Sequence, residues 1–359
     1  MDSYTAAVIA AGSQGRVHAR GYAADARARL LAVADINRAA AQELADDLSI
    51  PAVYEDYREL LETQRPELVS VCTPPAQHLD VVRAAVAAGA RAIHCEKPVA
   101  LSYGDALEMA RVTRDAGVQL TVNLQRRFEA VHRFAREQIV GGVLGDVVSI
   151  EGYCPNLGDW GAHVIDLMFF YLGDAPAQSV IGQVDVSVNR YVYGAFAETA
   201  SLTQVRWANG ISAIIATGRE PWTPSLNLQN NLGILVQGTG GRLDARGARC
   251  VVRRFGAEDV VLESPFDRDA THWERGVDPA IVAGTAEAIS DAITSLGAGT
   301  EPVCAAAHAL AGAEVIFATY ESSRSRRRIE LPLRQLDNAL TAGLRTGFWH
   351  PVGELRSTY

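Results

Sequence analysis

The sequence predicts an α/β protein in two parts: a doubly wound parallel sheet over residues 1–124, then an α+β domain with a mainly antiparallel sheet over residues 125–333. Three observations predict it. The first third alternates short apolar runs with amphipathic stretches, the pattern of parallel strands joined by right-handed helical crossovers. After about residue 125 the apolar segments lengthen and alternate with period two, as half-buried antiparallel strands do. The chain has 359 residues, 48% of them apolar, more than one ordinary core accommodates.

In the first part TAAVIAAG, LLAVAD, LVSVCT, RAIHCEK and VQLTVNL read as strands, and AAAQELADDL, HLDVVRAAVAAG and YGDALEMARVTRDAG as helices. Asn37 suits a helix N-cap and Gly117 a C-cap. In the second part helical EAVHRFAREQIVGG leads to strand-like DVVSIEGY and helical GAHVIDLMFFYLG. SVIGQVDVSV, AETASLTQVRW, ISAIIATG, GILVQGTGG and RCVVRRFG then supply a sheet. DPAIVAGTAEAISDAITSL and AAAHALAGAEVIFATYESS read as two helices, followed by a short IELPL strand. Residues 334–359 form a tail with no readable pattern.

Composition narrows the function classes. No apolar run reaches the roughly 18 residues of a membrane span, and MDSYTAAVIAAG lacks the marks of a signal peptide. The five cysteines are scattered with no CxxC pair, which suggests neither a zinc site nor a disulfide framework. A cytoplasmic location is expected. A net charge of −9 argues against nucleic acid as the main partner. The basic cluster from Arg324 to Arg328 suits a solvated helix C-terminus.

The first strand runs into Ala10-Ala11-Gly12-Ser13-Gln14-Gly15, a GxGxxG position with alanine in the first glycine slot. Such a turn aims backbone N–H groups and a helix N-terminus at a pyrophosphate. Gly12 lets the backbone approach the phosphates, and Gly15 lets the helix pack on the strand. Ala10 demands a turn without positive φ. Asp35 ends the second strand, where an acid takes the adenosine ribose hydroxyls and repels a 2′-phosphate. NAD is therefore expected over NADP, with Arg38 close enough to leave NADP use open. In Val71-Cys72-Thr73-Pro74-Pro75-Ala76-Gln77-His78 the prolines force an extended turn, and Thr73 offers a hydroxyl for the nicotinamide ribose. Cys72, Thr73, Pro74 and His78 count among the cofactor-side candidates, His78 chiefly as a helix-start or packing residue.

GSQGRVH, VSVCTPPAQH, EKPVAL, LQRRF and DWGAHVID occur in that order. With them the chain resembles the Gfo/Idh/MocA oxidoreductases over about residues 5–333. The resemblance implies a Rossmann domain, then an α/β domain with an open sheet that often builds homodimers or homotetramers. It implies that Lys97, in Glu96-Lys97-Pro98, contacts substrate and nicotinamide ribose, and that the Lys-Pro bond is frequently cis. It implies that Asp159 and His163 complete a catalytic centre, with Asp166 following in the same helix. The expected reaction passes a hydride between a nicotinamide and a ring hydroxyl or ketone of a sugar, sugar derivative or cyclitol. Reduction of a keto-sugar is the same reaction reversed.

The chemistry fits those residue types. Oxidising a secondary alcohol removes a hydride and a proton, and something on the protein must take the proton. His163 can do so near neutral pH. Lys97 can do so if its environment lowers its pKa; otherwise it stabilises the developing alkoxide. Asp159, His163 and Asp166 share one helical face by spacing. The alternatives are a core histidine at 163, an N-cap at 159 and a structural acceptor at 166. Arg127, Asn156, Lys97, Asp159 and His163 are substrate-side candidates, and Glu96 and Gln125 cofactor-side ones, with Asn123 and Gln125 suited to the nicotinamide carboxamide or to substrate hydroxyls. Of Arg126 and Arg127, one is expected to bind substrate and the other to pair structurally. Tyr153, Trp160, Tyr191, Tyr193 and Trp222 suit the lining of a polyol pocket. The segment CPNLGDWGAH is shorter than the Gly-rich stretch usual in the family, so the pocket is either more open or covered by another segment, GREPWTPSLNLQNN or the tail. A metal is not expected, and a GxSxG elbow for Ser-His-Asp hydrolysis is missing. The reading from another class is a non-catalytic NAD(P)-binding sensor of the same fold.

Overall fold

The computed structural model describes residues 3–218, 232–264, 277 and 279–354. They form two compact units. The first comprises the residues up to Ala100, Asp105–Glu129 and the described part of Phe266–Ala307. The second comprises Leu101–Gly104, the described part of Ala130–Pro265 and the residues from His308. Among the described residues no helix is long and apolar enough to cross a membrane.

The first unit holds a six-stranded parallel sheet. Its strands are β1 (Tyr4–Ile9), β2 (Ala28–Ala34), β3 (Ala52–Tyr54), β4 (Leu68–Val71), β5 (Ala92–Cys95) and β6 (Gln119–Val122), in the order β3-β2-β1-β4-β5-β6. β4 and β5 are buried along their whole length, which is why they read as unbroken apolar runs. Helices α1 (Ser13–Ala24), α2 (Arg38–Leu48), α3 (Tyr57–Gln64), α4 (His78–Ala87) and α5 (Tyr103–Asp115) connect the strands. Strand order reverses between β1 and β4, so the crevice at their C-terminal ends is the switch point where such sheets take ligands. Asn37 caps α2 through Ala40 N, and Gly117 ends α5 at φ 69. The three-residue β3 and the eight-residue α3, capped by Asp56, have no counterpart in the sequence reading.

The second unit contains α6 (Ala130–Val140), β7 (Val147–Cys154), α7 (Trp160–Tyr171), β8 (Ala177–Asp185), β9 (Val188–Asn189), β10 (Tyr191–Val192) and β11 (Ala195–Phe196). It continues with β12 (Ala200–Trp207), β13 (Ser212–Gly218), β14 (Gly233–Gly238), β15 (Gly241–Arg246), β16 (Arg249–Arg254) and β17 (Val260–Glu263). Helix α8 (Pro279–Ala298) returns to the first unit. There Gly21 on α1 leaves room for Ile289, whose Cδ1 lies 2.7 Å from where a side chain would begin. Arg27 donates to Ser290 O at 3.0 Å and Oγ at 2.8 Å. Most of α9 (Ala306–Ser325), β18 (Ile329–Glu330), α10 (Ala339–Arg345) and β19 (Gly353–Glu354) complete the second unit.

Its nine-stranded sheet runs β17-β16-β15-β14-β7-β13-β12-β8-β18. Every pairing is antiparallel except β7 with β13. Register places Gly152, Ile215, Thr203 and Gly182 in one row across four strands. The two glycines give the helices access: a Cβ on Gly152 would meet Val164 and Met168 of α7, and one on Gly182 would meet Thr319 of α9. On the opposite face lies the row Glu151, Ile214, Gln204 and Ile181, and Ile181, Leu202 and Ile214 are exposed there. The segment beyond residue 333 contains α10, whose cap residue Asn338 also donates to Leu101 O at 3.0 Å.

Candidate functional site

In the first unit the turn after β1 is built around a strained alanine. The expectation of a turn without positive φ at position 10 is overturned: Ala10 has φ 79. Its N–H still donates to Ala34 O at 2.8 Å, while its carbonyl turns under α1. A Cβ at residue 15 would lie 1.9 Å from that oxygen, so Gly15 is the only residue that fits there. Left-handed backbone costs an alanine about 1–2 kcal/mol, and the close approach of helix to strand holds it. Gly12 is the N-cap of α1 and makes no side-chain cap bond. A Cβ on Gly12 would meet nothing within 4 Å, so the space over this helix end is open. Ser13 is exposed and Gln14 half-buried at the same turn.

Asp35 is locked in place. Its Oδ2 accepts from Ala11 N at 2.7 Å and its Oδ1 from Asn37 N at 2.7 Å. Arg38 leans toward Glu55, 3.6 Å away. The groove beside this turn is lined by Ala11, Gly12, Ser13, Arg16, Asn37 and Glu43, among others. Arg16 was missed in the sequence and is held by Glu43 at 3.0 Å. Its signal was only its place one residue past Gly15.

The turn after β4 carries a second set. Cys72 N donates to Ile9 O at 2.9 Å, and burial pushes the Cys72 thiol up, keeping it neutral. The Thr73 hydroxyl is buried with no hydrogen-bond partner. Pro74 is exposed and precedes a 3-10 turn, Pro75–Gln77. His78 is fully buried, with Nδ1 3.1 Å from Val99 O and Nε2 2.9 Å from Thr73 O. It ties the Thr73 turn to the chain just after Pro98, and burial lowers its pKa.

Lys97, half-buried, stands next to Pro98 with a cis bond between them. Glu96 turns inward instead of toward the crevice, and its three hydrogen bonds go to His18, Asn123 and Lys97 N. Gln125 is buried, and its Oε1 has no partner. Gly284 of α8 approaches its backbone so closely that a Cβ would lie 2.8 Å from Gln125 O. Arg126 pairs with Glu129 at 3.0 Å, the structural ion pair foreseen for one of the two arginines. Arg127 is buried.

The residues of this unit fit a bound NAD(H). The α1 N-terminus is uncapped under open space, and two buried polar atoms, Thr73 Oγ1 and Gln125 Oε1, lack partners. An unmet buried polar group costs about 1–3 kcal/mol, which a polar ligand would relieve.

In the second unit the candidates sit at the start of α7. Asn156 Oδ1 accepts from Asp159 N at 2.8 Å and Trp160 N at 3.2 Å. Asp159 occupies the N-cap position, but its carboxylate makes no capping bond. Asp159 thus stands at the N-cap position, while the Asn156 side chain supplies the oxygen to the N–H groups there. Asp159, His163 and Asp166 are all buried, at spacings that share one helical face.

A residue unnoticed in the sequence fixes this segment. Glu198 is fully buried, accepts from Leu157 N and takes the Tyr320 hydroxyl at 2.9 Å. Burial raises its pKa against those hydrogen bonds. No local pattern could have found it, because its partners are 41 and 122 residues away. The Tyr153 hydroxyl donates to Glu151, and burial first and that bond second push its pKa up to about 12. Trp160 is half-buried, while Tyr191 and Tyr193 are exposed on and beside β10. Trp222 and most of GREPWTPSLNLQNN lie outside the described residues.

Known proteins resemble this chain in sequence and in fold. Residues 4–124 match the oxidoreductase family with an NAD-binding Rossmann fold, GFO_IDH_MocA. D-glucoside 3-dehydrogenase of Escherichia coli (strain K12) is 31% identical over 196 residues, 48% of this chain and 55% of that protein. The chain thus spans little more than half of that relative. Inositol 2-dehydrogenase of Rhizobium meliloti (strain 1021) is 28% identical over 274 residues, 72% of this chain and 80% of that protein. Among solved structures, levoglucosan dehydrogenase in complex with NADH and levoglucosan superposes with a TM-score of 0.77 at 19% identity. That match covers 92% of this chain and all (100%) of the other. At that identity the structural likeness speaks for the fold. The nucleotide turn, the order of the first sheet and the family match together make residues 4–124 an NAD-binding Rossmann domain of the kind the Gfo/Idh/MocA oxidoreductases carry.

Proposed function

We propose that the protein is a dehydrogenase that passes a hydride between NAD(H) and a ring carbon of a sugar, sugar derivative or cyclitol. The observation that carries this reading is the nucleotide turn: an uncapped α1 beneath open space at Gly12, with Asp35 held at the adjoining strand end. The relatives named above, which act on a glucoside and an inositol, support the substrate class.

When bound, the nicotinamide supplies the hydride acceptor or donor. Gly12, Ser13, Gln14 and Gly15 present the backbone to the phosphates. Asp35 favours the unphosphorylated ribose of NAD over the 2′-phosphate of NADP. His163, with Asp159 and Asp166 on its helical face, takes the alcohol proton during oxidation and returns it during reduction. Lys97 donates to the substrate oxygen and stabilises charge that develops there. Arg127 and Asn156 complete the proposed substrate contacts.

The test is a panel of polyols and keto-sugars, assayed with NAD(H) and NADP(H) by the absorbance of the reduced nicotinamide. Turnover on a ring hydroxyl, faster with NAD, is expected. Lys97→Ala should lower kcat by roughly 100-fold or more while the Kd for NAD stays within a few-fold. Near-parent turnover in Lys97→Ala would remove the assigned role. Tight NAD binding with no turnover on any compound would favour a cofactor-bound regulator.

We also propose that a second copy of the chain covers the exposed sheet face bearing Ile181, Leu202 and Ile214. Open apolar sheet faces of this kind mark association surfaces.

A further inference from the structure

Beneath the Glu96-Lys97 peptide lies a buried polar cluster that the chemistry above does not use. It gathers His18 from α1, Ser70 from β4, His94 from β5, Thr121 from β6, Asn123 just after β6 and Thr285 from α8. Glu96 is its hub. Its Oε1 accepts from His18 Nε2 at 2.9 Å and from Asn123 Nδ2 at 2.7 Å, and its Oε2 accepts from the backbone N–H of Lys97 at 3.0 Å. The two side-chain nitrogens stand 3.2 Å apart as they converge on one oxygen.

The donors are themselves held. His18 is wholly buried and its Nδ1 lies 2.9 Å from Ser70 Oγ, which reaches the Tyr22 hydroxyl at 3.2 Å. Asn123 Nδ2 also donates to Thr285 Oγ1 at 3.2 Å, and its backbone N–H to Cys95 O at 2.8 Å. Burial works against the charge on Glu96, but the His18 bond, the His18 and Lys97 charges and the Asn123 bond outweigh it and hold its pKa at about 2. His94 stacks on His18 at 4.9 Å between ring centres. Burial first, and His18 second, lower its pKa to about 3, so it brings no rival charge at neutral pH.

A carboxylate with three N–H donors and no solvent has one geometry open to it. One of the three donors is the main chain of Lys97 itself. The side chain that is proposed to meet the substrate therefore starts from a backbone N–H held by the buried Glu96 carboxylate.

We propose that His18 and Asn123 are positioning residues for Lys97, acting through Glu96, which clamps the Lys97 backbone from beneath. The inference rests on the reading of Lys97 as a residue of the reaction. It differs from a packing role because it depends on donors, not on volume. A glutamine at 18 can place its Nε2 near the site of the histidine Nε2, whereas a leucine of similar bulk offers no donor.

The experiment compares Glu96→Gln, His18→Leu and His18→Gln with the parent, full-length in each case. Three quantities are read: kcat on the substrate found above, the Kd for NAD, and amide hydrogen exchange at Lys97 against core amides of β1 and β4. Glu96→Gln and His18→Leu should lower kcat about 30-fold, the size of effect expected from a misplaced reacting group, with the Kd for NAD within about three-fold. Exchange at Lys97 should quicken at least about ten-fold in both while the strand amides stay protected. His18→Gln should recover both readouts to within about three-fold of the parent.

Parent-like kcat and exchange in His18→Leu would overturn the proposal. So would equal losses in His18→Leu and His18→Gln, the mark of plain packing. If Glu96→Gln fails to fold, the two His18 variants decide alone. If the parent turns over no sugar or cyclitol, the reading of the function fails, and the exchange of the Lys97 amide still decides whether the clamp exists.

Discussion

Ala10 holds a backbone conformation that glycine would adopt without penalty. Relieving about 1–2 kcal/mol of left-handed strain and returning about 0.5–1 kcal/mol of glycine flexibility leaves a net gain. Ala10→Gly should therefore stabilise the protein by about 0.5–1 kcal/mol, seen as a higher urea midpoint at unchanged m-value. A lower midpoint would mean that the strain is absorbed elsewhere. At this scale the cradle was legible, because Gly12, Gly15 and Asp35 act through neighbours a few residues away or at a fixed strand end. The φ of Ala10 was not legible. It is imposed by α1 pressing onto β1, and residue type alone suggested the opposite sign. The inward turn of Glu96 was hidden for a similar reason: its partners His18 and Asn123 come from 78 and 27 residues away.

Helix α7 shows how an element inherits its start from a residue outside it. Asn156 supplies side-chain oxygen to the N–H groups of Asp159 and Trp160. Asn156→Ala should destabilise the protein by about 1 kcal/mol and lower kcat as the turn carrying Asp159 frays. Asn156→Ser, which can still cap, should lose less. Urea unfolding beside steady-state kinetics reads both, and an unchanged stability in the alanine variant would deny the cap its weight. The existence of α7 was plain from its apolar run, as were most strands. Its cap was not: aspartate and asparagine at nearby positions are equal candidates in sequence, and only backbone direction separates them. β3 and α3 were missed because three and eight residues carry too little periodicity to stand out.

For the whole molecule, the exposed row of Ile181 and Ile214 with the neighbouring Leu202 predicts self-association. The parent should sediment as a dimer or tetramer, and Leu202→Arg should shift it toward monomer without unfolding it. A parent that sediments as a monomer would refute the covered face. The strands of this sheet were readable from their alternation, but their order was not, since β7 pairs with β13 and β14 across intervening chain. The packing of α8 against α1 was equally silent: both are amphipathic, and nothing in an apolar stripe names its partner.

That last packing has a consequence for biosynthesis. The sheet that meets the nucleotide is encoded before residue 123, yet Ile289 and Ile293 complete its core and Thr285 steadies Asn123. A ribosome has to deliver the chain through α8, which ends at Ala298, before the first unit can close. Until then the nascent stretch bearing α1 shows an apolar flank that only a later stretch of the same polypeptide shields.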